Sequence, residues 1–362
     1  MSSKVTTLVS NRGGCGKSSL ASQLAPAIAL AHPNQDVVLF DMSIQGDAST
    51  FLLGGVSEPK DAVAGIRTRG GELISSLPPT KGAVAFVNAA FQFSSAAAAP
   101  APRTSFWRGA YAAPSTPTLA SSLDWKAHAV RPVDIHPAGG CPANLYVVHG
   151  GKGLYNIPFD GLAQALRTAF VSMNSIILID TDAELSERAS SLAAIAASDA
   201  LAIVLSSSWT DYQRIVDDPA NSLFNGLRFL QESLPLLRPR VAHVIFNNVQ
   251  KRLGAPSGLE AAPGIFPFTP PSTSVESMAE IGAHLRSVAS DPGAGLSNFF
   301  MNQEALRTNG EFLRAYITAL PTIAESAWQQ AALLGQPIVC ATNASEVQVQ
   351  AAGHLRAVAA RF

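Results

Sequence analysis

Val5-Thr6-Thr7-Leu8-Val9-Ser10-Asn11-Arg12-Gly13-Gly14-Cys15-Gly16-Lys17-Ser18-Ser19-Leu20 opens the chain with a β-branched strand, a glycine-rich turn, Lys-Ser and the start of an apolar helical stretch that runs to Leu30. Strand, glycine turn, Lys-Ser and helix in that order is the architecture of a phosphate-binding loop. Gly13, Gly14 and Gly16 let backbone N–H groups close around phosphate oxygens with no Cβ in the way. The helix N-terminus adds partial positive charge at the same place. Lys17 is positioned to reach the β- and γ-phosphates, and the Ser18 hydroxyl to ligate Mg²⁺. The strand before and the helix after distinguish this segment from an ordinary glycine-rich turn. One position departs from the general pattern: Asn11 stands where a glycine is expected ahead of Gly16.

The bulk composition sets the frame. The chain has 362 residues, of which 47% are hydrophobic and 14% charged, enough for one large α/β domain or two modest ones. A formal net charge of −1 supplies no global basic field for nucleic acid. Cys15, Cys141 and Cys340 are far apart and form no C-x-x-C pair, which argues against a disulfide framework or zinc site and fits a reducing compartment. Cys15 reads as a small filler of the loop rather than as an oxidation-sensitive thiol. A first strand from about Lys4 leaves no room for a signal peptide. The run Leu20–Ala31 is too short to span a bilayer and is interrupted by Ser22, Gln23 and Pro26. Val347–Phe362 reads as a last helix packed on the core rather than as an amphipathic membrane anchor. The expectation is a cytoplasmic protein with no transmembrane segment.

Short runs apolar on both faces recur, each ending in polar residues: Val37–Phe40 at Asp41, Leu145–Val148 at His149, Ile176–Ile179 at Asp180, Leu201–Leu205 at Ser206, and Val241–Phe246 at Asn247-Asn248. Buried parallel strands have this character. Helical segments alternate with them at Gly161–Ala169, Leu185–Ala197, Ser222–Leu234 and Ala324–Leu334. The pattern predicts an α/β fold, a mostly parallel central sheet flanked by helices on both faces, with ligands at the carboxyl ends of the strands. Two stretches break the rhythm and are read as insertions in a single domain spanning 1–362. One, at about 78–136, holds the Ala/Pro-rich Ser94–Pro102 and the aromatics Phe106, Trp107, Tyr111 and Trp125, and is expected to be partly flexible. The other, at 253–310, carries a helix over Val275–Ala289. No internal repeat is evident.

Asp41 and Asp180 each close an apolar strand, on strands expected to flank the loop strand. In phosphate-loop nucleotidases one such Asp holds the Mg²⁺ shell, and Asp180 after Ile-Ile-Leu-Ile is the better candidate. With both in view the resemblance becomes specific. Arg12 to Ser19 resembles the deviant Walker A motif of the ParA/MinD ATPases, with Arg12 where that family has a signature Lys before Gly-Gly. Asp41-Met42-Ser43-Ile44-Gln45-Gly46-Asp47-Ala48-Ser49 resembles the family's switch I, and Asp180-Thr181 its switch II. Ala197–Ala200 resembles the segment leading into the following strand, Asn247 falls where the family places an adenine-contacting Asn, and Leu320-Pro321 resembles the last strand-to-helix segment, where the base also packs.

The resemblance implies a P-loop ATPase binding ATP and Mg²⁺. Gly13, Gly14, Cys15, Gly16, Lys17, Ser18, Ser19, Asn247 and Pro321 would hold the nucleotide, and Ser18, Asp41 and Asp180 the metal. Lys17, Arg12, Asp41 and Asp182 are the candidate catalytic residues. It also implies a nucleotide-dependent homodimer in which Arg12 reaches the partner's phosphates, and a protein partner or cargo adaptor. Two departures bear on activity. Arg12 keeps the signature charge with a different geometry. Ser43 replaces the second switch I Asp, which positions the attacking water, and a serine takes up no proton near pH 7. Asp47 or Asp182 could compensate; Asp182 stands where a proline is usual.

Three readings stay open: a dimerising switch that positions or partitions a cargo with slow hydrolysis, an ATP-bound scaffold without hydrolysis, and a metabolic ligase or kinase on the same fold. Non-specific DNA binding has only Arg238, Arg240, Lys251 and Arg252 to support it. They stand at opposite ends of one strand and read as two solvated loops.

Overall fold

The computed structural model describes residues 4–10, 14–55, 69–98, 123–135, 140–156, 159, 161–182, 189–216, 222–234, 239–250, 271–291, 296–323, 325–342 and 344–362. Arg12, Gly13, the stretch 99–122 with Phe106, Trp107 and Tyr111, and the basic residues Arg238, Lys251 and Arg252 lie outside the described residues.

Seven strands form one sheet: β1 (Lys4–Val9), β2 (Val37–Asp41), β3 (Leu145–Val148), β4 (Ile176–Asp180), β5 (Ala200–Leu205), β6 (Arg240–Val249) and β7 (Ile317–Pro321), in the order β3-β2-β4-β1-β5-β6-β7. Every pairing is parallel. The chain steps to one side of β1 through β2 and β3 and to the other through β5, β6 and β7. That reversal opens a crevice at the carboxyl end of β1, where α/β sheets bind ligands. The expectation that the two Asp-bearing strands flank β1 needs correcting. β4 does flank it, but β2 sits beyond β4, because the second neighbour of β1 is β5. Asp41 and Asp180 are nonetheless directly paired in register, so the two carboxylates stand side by side at one sheet edge.

The residue alternation along each strand sorts the core into two layers. Val38, Phe40, Ile177 and Ile179 face one layer, with helices Leu162–Met173, Ala189–Ala197, Leu223–Ser233 and Ser272–Ser290. Val37, Leu39, Leu178 and Val204 face the other, with α1 (Lys17–Ala31), α2 (Asp47–Leu52) and the closing helix Glu346–Ala359. The run of Lys17–Ala31 is continuous through Pro26, and Asn144 Nδ2 takes up the carbonyls of Ala29, His32 and Gln35 where the helix ends. Glu346–Ala359 begins with a Ser345/Gln348 capping box and buries Leu355 and Val358, as expected for a helix on the core. Among the described residues no helix is long and apolar enough to cross a membrane.

The two segments read as insertions contribute to this core wherever they are described. Ala83–Ala98 is a helix whose Phe86 is fully buried against Phe40 and Phe170, ring centroids 4.7 and 6.0 Å away. Its Ala-rich composition resembles a linker, but alanine is also the best helix former, and Phe86, Val87 and Ala90 share one buried face. Trp125 is buried edge-on to Tyr146. In the second segment, Ser272–Ser290 buries Met278, Ile281 and Leu285, and Phe300 bridges to Val241 among Phe224, Phe312 and Tyr316. Phe86→Ala should therefore cost about 3–5 kcal/mol of stability, as deletion of a packed core ring does. Chemical denaturation measures it, and a loss below about 1 kcal/mol would mean that this helix detaches from the sheet.

Candidate functional site

The loop after β1 is shaped by its glycines and held from the neighbouring strands. Gly16 sits at φ +78° as the residue that starts α1, and a Cβ there would lie 2.6 Å from Asn247 Nδ2. Left-handed backbone and close approach together require glycine. Asn247 donates through Nδ2 to the carbonyls of Cys15 (2.9 Å) and Gly16 (3.4 Å), so β6 buttresses the loop. This depends on a strand longer than its apolar run: β6 continues to Val249 and carries Asn247 inside it, whereas the sequence places the strand's end before that residue. Thr181 Oγ1 donates to the Leu8 carbonyl and ties the end of β4 to β1.

At the first residue of α1 the Lys17 side chain is buried. Its Nζ lies 2.7 Å from Asp180 Oδ1 and also donates to the Thr181 carbonyl. Asp180 is fully buried, and its second oxygen, Oδ2, has no hydrogen-bond partner. An orphaned buried carboxylate oxygen costs several kcal/mol on the order given by charged-group desolvation, unless a donor or cation meets it. The donor set around it fits a hard cation: Asp180 and the Ser18 hydroxyl are oxygen ligands of the kind Mg²⁺ takes. Among the described residues no group of three His, Cys, Asp or Glu is arranged to hold a metal alone, so phosphate oxygens would have to complete such a shell.

Asp41 is treated differently. Its Oδ1 accepts from Ser43 N (3.0 Å) and Ser43 Oγ (2.6 Å), and its Oδ2 from Ser49 N (3.0 Å) and Ser49 Oγ (2.7 Å). Both oxygens are thus occupied, and the Ser43 hydroxyl is spent on Asp41. Complete burial, then the Asp180 charge beside it, raise the Asp41 pKa to about 6, while the serine donors pull it down. Gly150, after β3, closes over this group: a Cβ there would meet Ser43 O at 2.4 Å and Asp41 Oδ1 at 2.8 Å.

Two cavities meet at the loop. One of about 460 Å³ is lined by Gly14, Lys17, Ser18, Ser43, Asp47 and Asp182, among others. Burial, then the Asp180 charge, raise the Asp47 pKa there, with Lys17 acting the other way. The Ile44 amide donates to Asp182 Oδ1 at 3.3 Å, joining the segments that follow β2 and β4. The other cavity, about 270 Å³, lies beside α1 between Gln23, Asn247, Pro321, Trp328, His354 and Leu355. Gly16, Ser19 and Asn248 line both. A polar chamber lined by Lys17 and the carboxylates Asp47 and Asp182 thus opens into an apolar slot with a few polar groups, the layout of a site for a phosphorylated ring compound.

The structure brings Gly14, Cys15, Gly16, Lys17, Ser18, Ser19, Asp180, Asp182 and Asn247 to the same crevice, with Pro321 on the wall of the apolar slot and Asp41 behind Ser43. Cys15 is buried and points its backbone carbonyl at Asn247. Sequence reading missed Gln23, Trp328 and His354 as lining residues and Ser49 as the second holder of Asp41. Gln23 left a trace, being a polar residue within an apolar helical run. Trp328 and His354 come from elements distant in the chain, whereas Ser49 lies eight residues after Asp41 and only the fold turns its amide and hydroxyl back onto that carboxylate.

No protein-family profile matches the chain, and no characterised sequence matches it. Solved structures do match, over nearly the whole length. A ParA family ATPase from Chlorobium tepidum TLS superposes with a TM-score of 0.53 at 15% identity, covering 99% of this chain and 98% of that one. The fold is that of the ParA-type ATPases. A Cyanothece McdA variant in complex with ATP (TM-score 0.51, 14% identity, 98% and 96% covered) and the ParA protein of pnob8 (TM-score 0.51, 15% identity, 99% and 97% covered) share it. At such identities the ParA-type likeness concerns the chain path, and what each side chain does rests on the geometry above.

The Asp41 shift has a measurable consequence. Its folded pKa of about 6 exceeds the ordinary 3.8, so the folded state holds the proton longer. The associated stability is complete below the ordinary value and is lost as pH rises through about 6. Between pH 4 and 7 the wild type should lose on the order of 2 kcal/mol more than Asp41→Asn. The variant should be less stable throughout by about 1–3 kcal/mol, because its amide nitrogen faces a serine N–H and hydroxyl. Denaturant titrations across pH test both, and parallel pH profiles would contradict the assignment.

Proposed function

We propose that the chain is an ATP-binding, ParA-like switch that dimerises with Mg·ATP and positions or partitions a cargo, with slow hydrolysis. The observation that carries this reading is the buried Lys17–Asp180 pair at the head of α1, with Asp180 Oδ2 unpartnered and a phosphate-sized chamber beside it. Arriving β- and γ-phosphates offer Lys17 a second anionic partner, and exchanging Asp180 for phosphate releases the carboxylate toward the chamber. Gly13, Gly14, Cys15, Gly16 and Ser19 supply backbone and hydroxyl donors to the phosphates, and Asn247 and Pro321 border the base. Ser18 and Asp180 would hold Mg²⁺, with Asp41 adding charge from the adjacent strand. The ion, when bound, neutralises the phosphate charge that develops in transfer. Binding is coupled to the rest of the molecule because the segments carrying Asp180 and Ser43 are bonded to each other through Asp182 and Ile44.

Hydrolysis is expected to be weak. Ser43 Oγ donates to Asp41 and offers no base to an attacking water. Asp182 lines the phosphate chamber and is the carboxylate assigned to orient that water, and Arg12 the cation reaching a partner's phosphates. A switch needs different partner affinities in its two states rather than rapid turnover. The engagement of Ser43 also favours a second reading, an ATP-bound scaffold with no hydrolysis.

Equilibrium dialysis with labelled ATP should give saturable binding that Lys17→Ala weakens at least about 100-fold, since a charge-assisted phosphate contact is lost. No binding to the wild type at millimolar ATP would overturn the reading. Light scattering should find a dimer with ATP·Mg²⁺ and a monomer with ADP·Mg²⁺; one invariant species would count against the switch. In single-turnover assays Ser43→Asp should hydrolyse ATP about 10²–10⁴-fold faster than a slow wild type. Wild-type turnover equal to that of the variant would eliminate the scaffold.

A further inference from the structure

Gln23 stands two turns into α1 on the wall of the apolar slot, only 1% exposed. Its Oε1 accepts the Ile338 N–H at 2.8 Å. A backbone N–H can only donate, so the orientation of the carboxamide is fixed: the oxygen faces Ile338 and the NH₂ faces away from it. Nε2 is buried and has no hydrogen-bond partner. Leaving a buried amide donor unmet costs about 1–3 kcal/mol, and native structures rarely tolerate it without reason. Gln23 also lines a cavity of about 270 Å³ whose other walls include the apolar Leu20, Pro321, Trp328 and Leu355 and the polar Asn247 and His354. Largely apolar walls with a few polar groups, an unmet amide donor among them, suit a planar heteroaromatic ring that carries a lone pair in its plane.

We propose that Gln23 reads the base of the bound nucleotide, its Nε2 donating to a ring nitrogen of adenine. The assignment rests on the ATP-binding reading above and adds a residue that specifies the base. Because Oε1 accepts from Ile338, the carboxamide is held with its NH₂ as the group left unmet. It rewards a ring position that accepts and penalises one that bears hydrogen. It acts from α1, the helix that begins at the phosphate loop, so phosphate and base are sensed by one rigid element. The Ile338 bond anchors that element to the turn Ile338–Cys340 and keeps the carboxamide from rotating.

The decisive measurement compares ATP with 1-deaza-, 3-deaza- and 7-deaza-ATP on the unmodified full-length chain. Each analogue replaces one ring nitrogen by CH. One of the three should bind about 5- to 50-fold more weakly than ATP, the loss expected when a buried donor is left unmet. Gln23→Met should weaken ATP by a similar factor, show no further penalty with that analogue, and leave inorganic tripolyphosphate affinity unchanged, which also reports an intact loop. If the wild type binds all three analogues as tightly as ATP, or if Gln23→Met retains the full penalty for one of them, the assignment is overturned. If the wild type binds tripolyphosphate as tightly as ATP, base reading fails while the phosphate loop stands. If it binds neither, the ATP-binding reading fails with it.

Discussion

The arrangement at the crevice depends on one buried ion pair, Lys17 Nζ on Asp180 Oδ1. It joins the first residue of α1 to the last residue of β4, two elements distant in sequence and adjacent only because β4 lies beside β1. Removing two charges from water is costly, and the attraction between them in a low-dielectric interior offsets that cost only when geometry and extra hydrogen bonds are good. Lys17 has such support from the Thr181 carbonyl, and Asp180 does not, since Oδ2 is left bare. The pair is therefore incomplete at Asp180 Oδ2, while Lys17 lines the chamber together with Ser18 and Asp182. Incomplete satisfaction at a buried charge is unusual for a structural bridge and is what a site awaiting a ligand requires.

The neighbouring carboxylate shows the opposite treatment. Asp41 faces Asp180 across one strand pairing, and two like charges that close cannot both be ionised freely. The chain meets this by surrounding Asp41 with Ser43 and Ser49, so that each oxygen receives a backbone and a hydroxyl donor. Ser43 thus has a positive structural role where the resembling family carries a carboxylate. A fifth acid at that spot would add repulsion to a cluster already holding Asp41, Asp180, Asp47 and Asp182. Serine at this position bonds Asp41 without adding a charge.

Gly16 and Asn247 form the junction between the phosphate chamber and the apolar slot. Gly16, in left-handed backbone, lines both cavities, and the carbonyls of Cys15 and Gly16 accept from Asn247 on the wall of the apolar slot. Gly16, α1 and Gln23 belong to one continuous segment that lines both cavities.

The sequence by itself determined whatever is local. Successive residues fix the glycine loop, the start of α1 and the apolar runs of the strands, since backbone conformation and burial period are written in neighbouring positions. It also marked Asp180, which closes such a run. The tertiary structure alone decided what depends on strand order and side-chain direction. It placed β2 beyond β4 rather than beside β1, yet brought Asp41 into register with Asp180. It extended β6 through Asn247, and made Ala83–Ala98 a core helix through Phe86, where composition alone resembles a linker. Gln23 is the sharpest case. In the sequence it only interrupts an apolar run; in the fold Ile338, more than three hundred residues away, bonds its oxygen and leaves its nitrogen unpartnered in a residue that lines a cavity. A hydrogen bond between distant segments has no signature in either segment, because each donor and acceptor is fully ordinary until packing removes the water that would otherwise satisfy it.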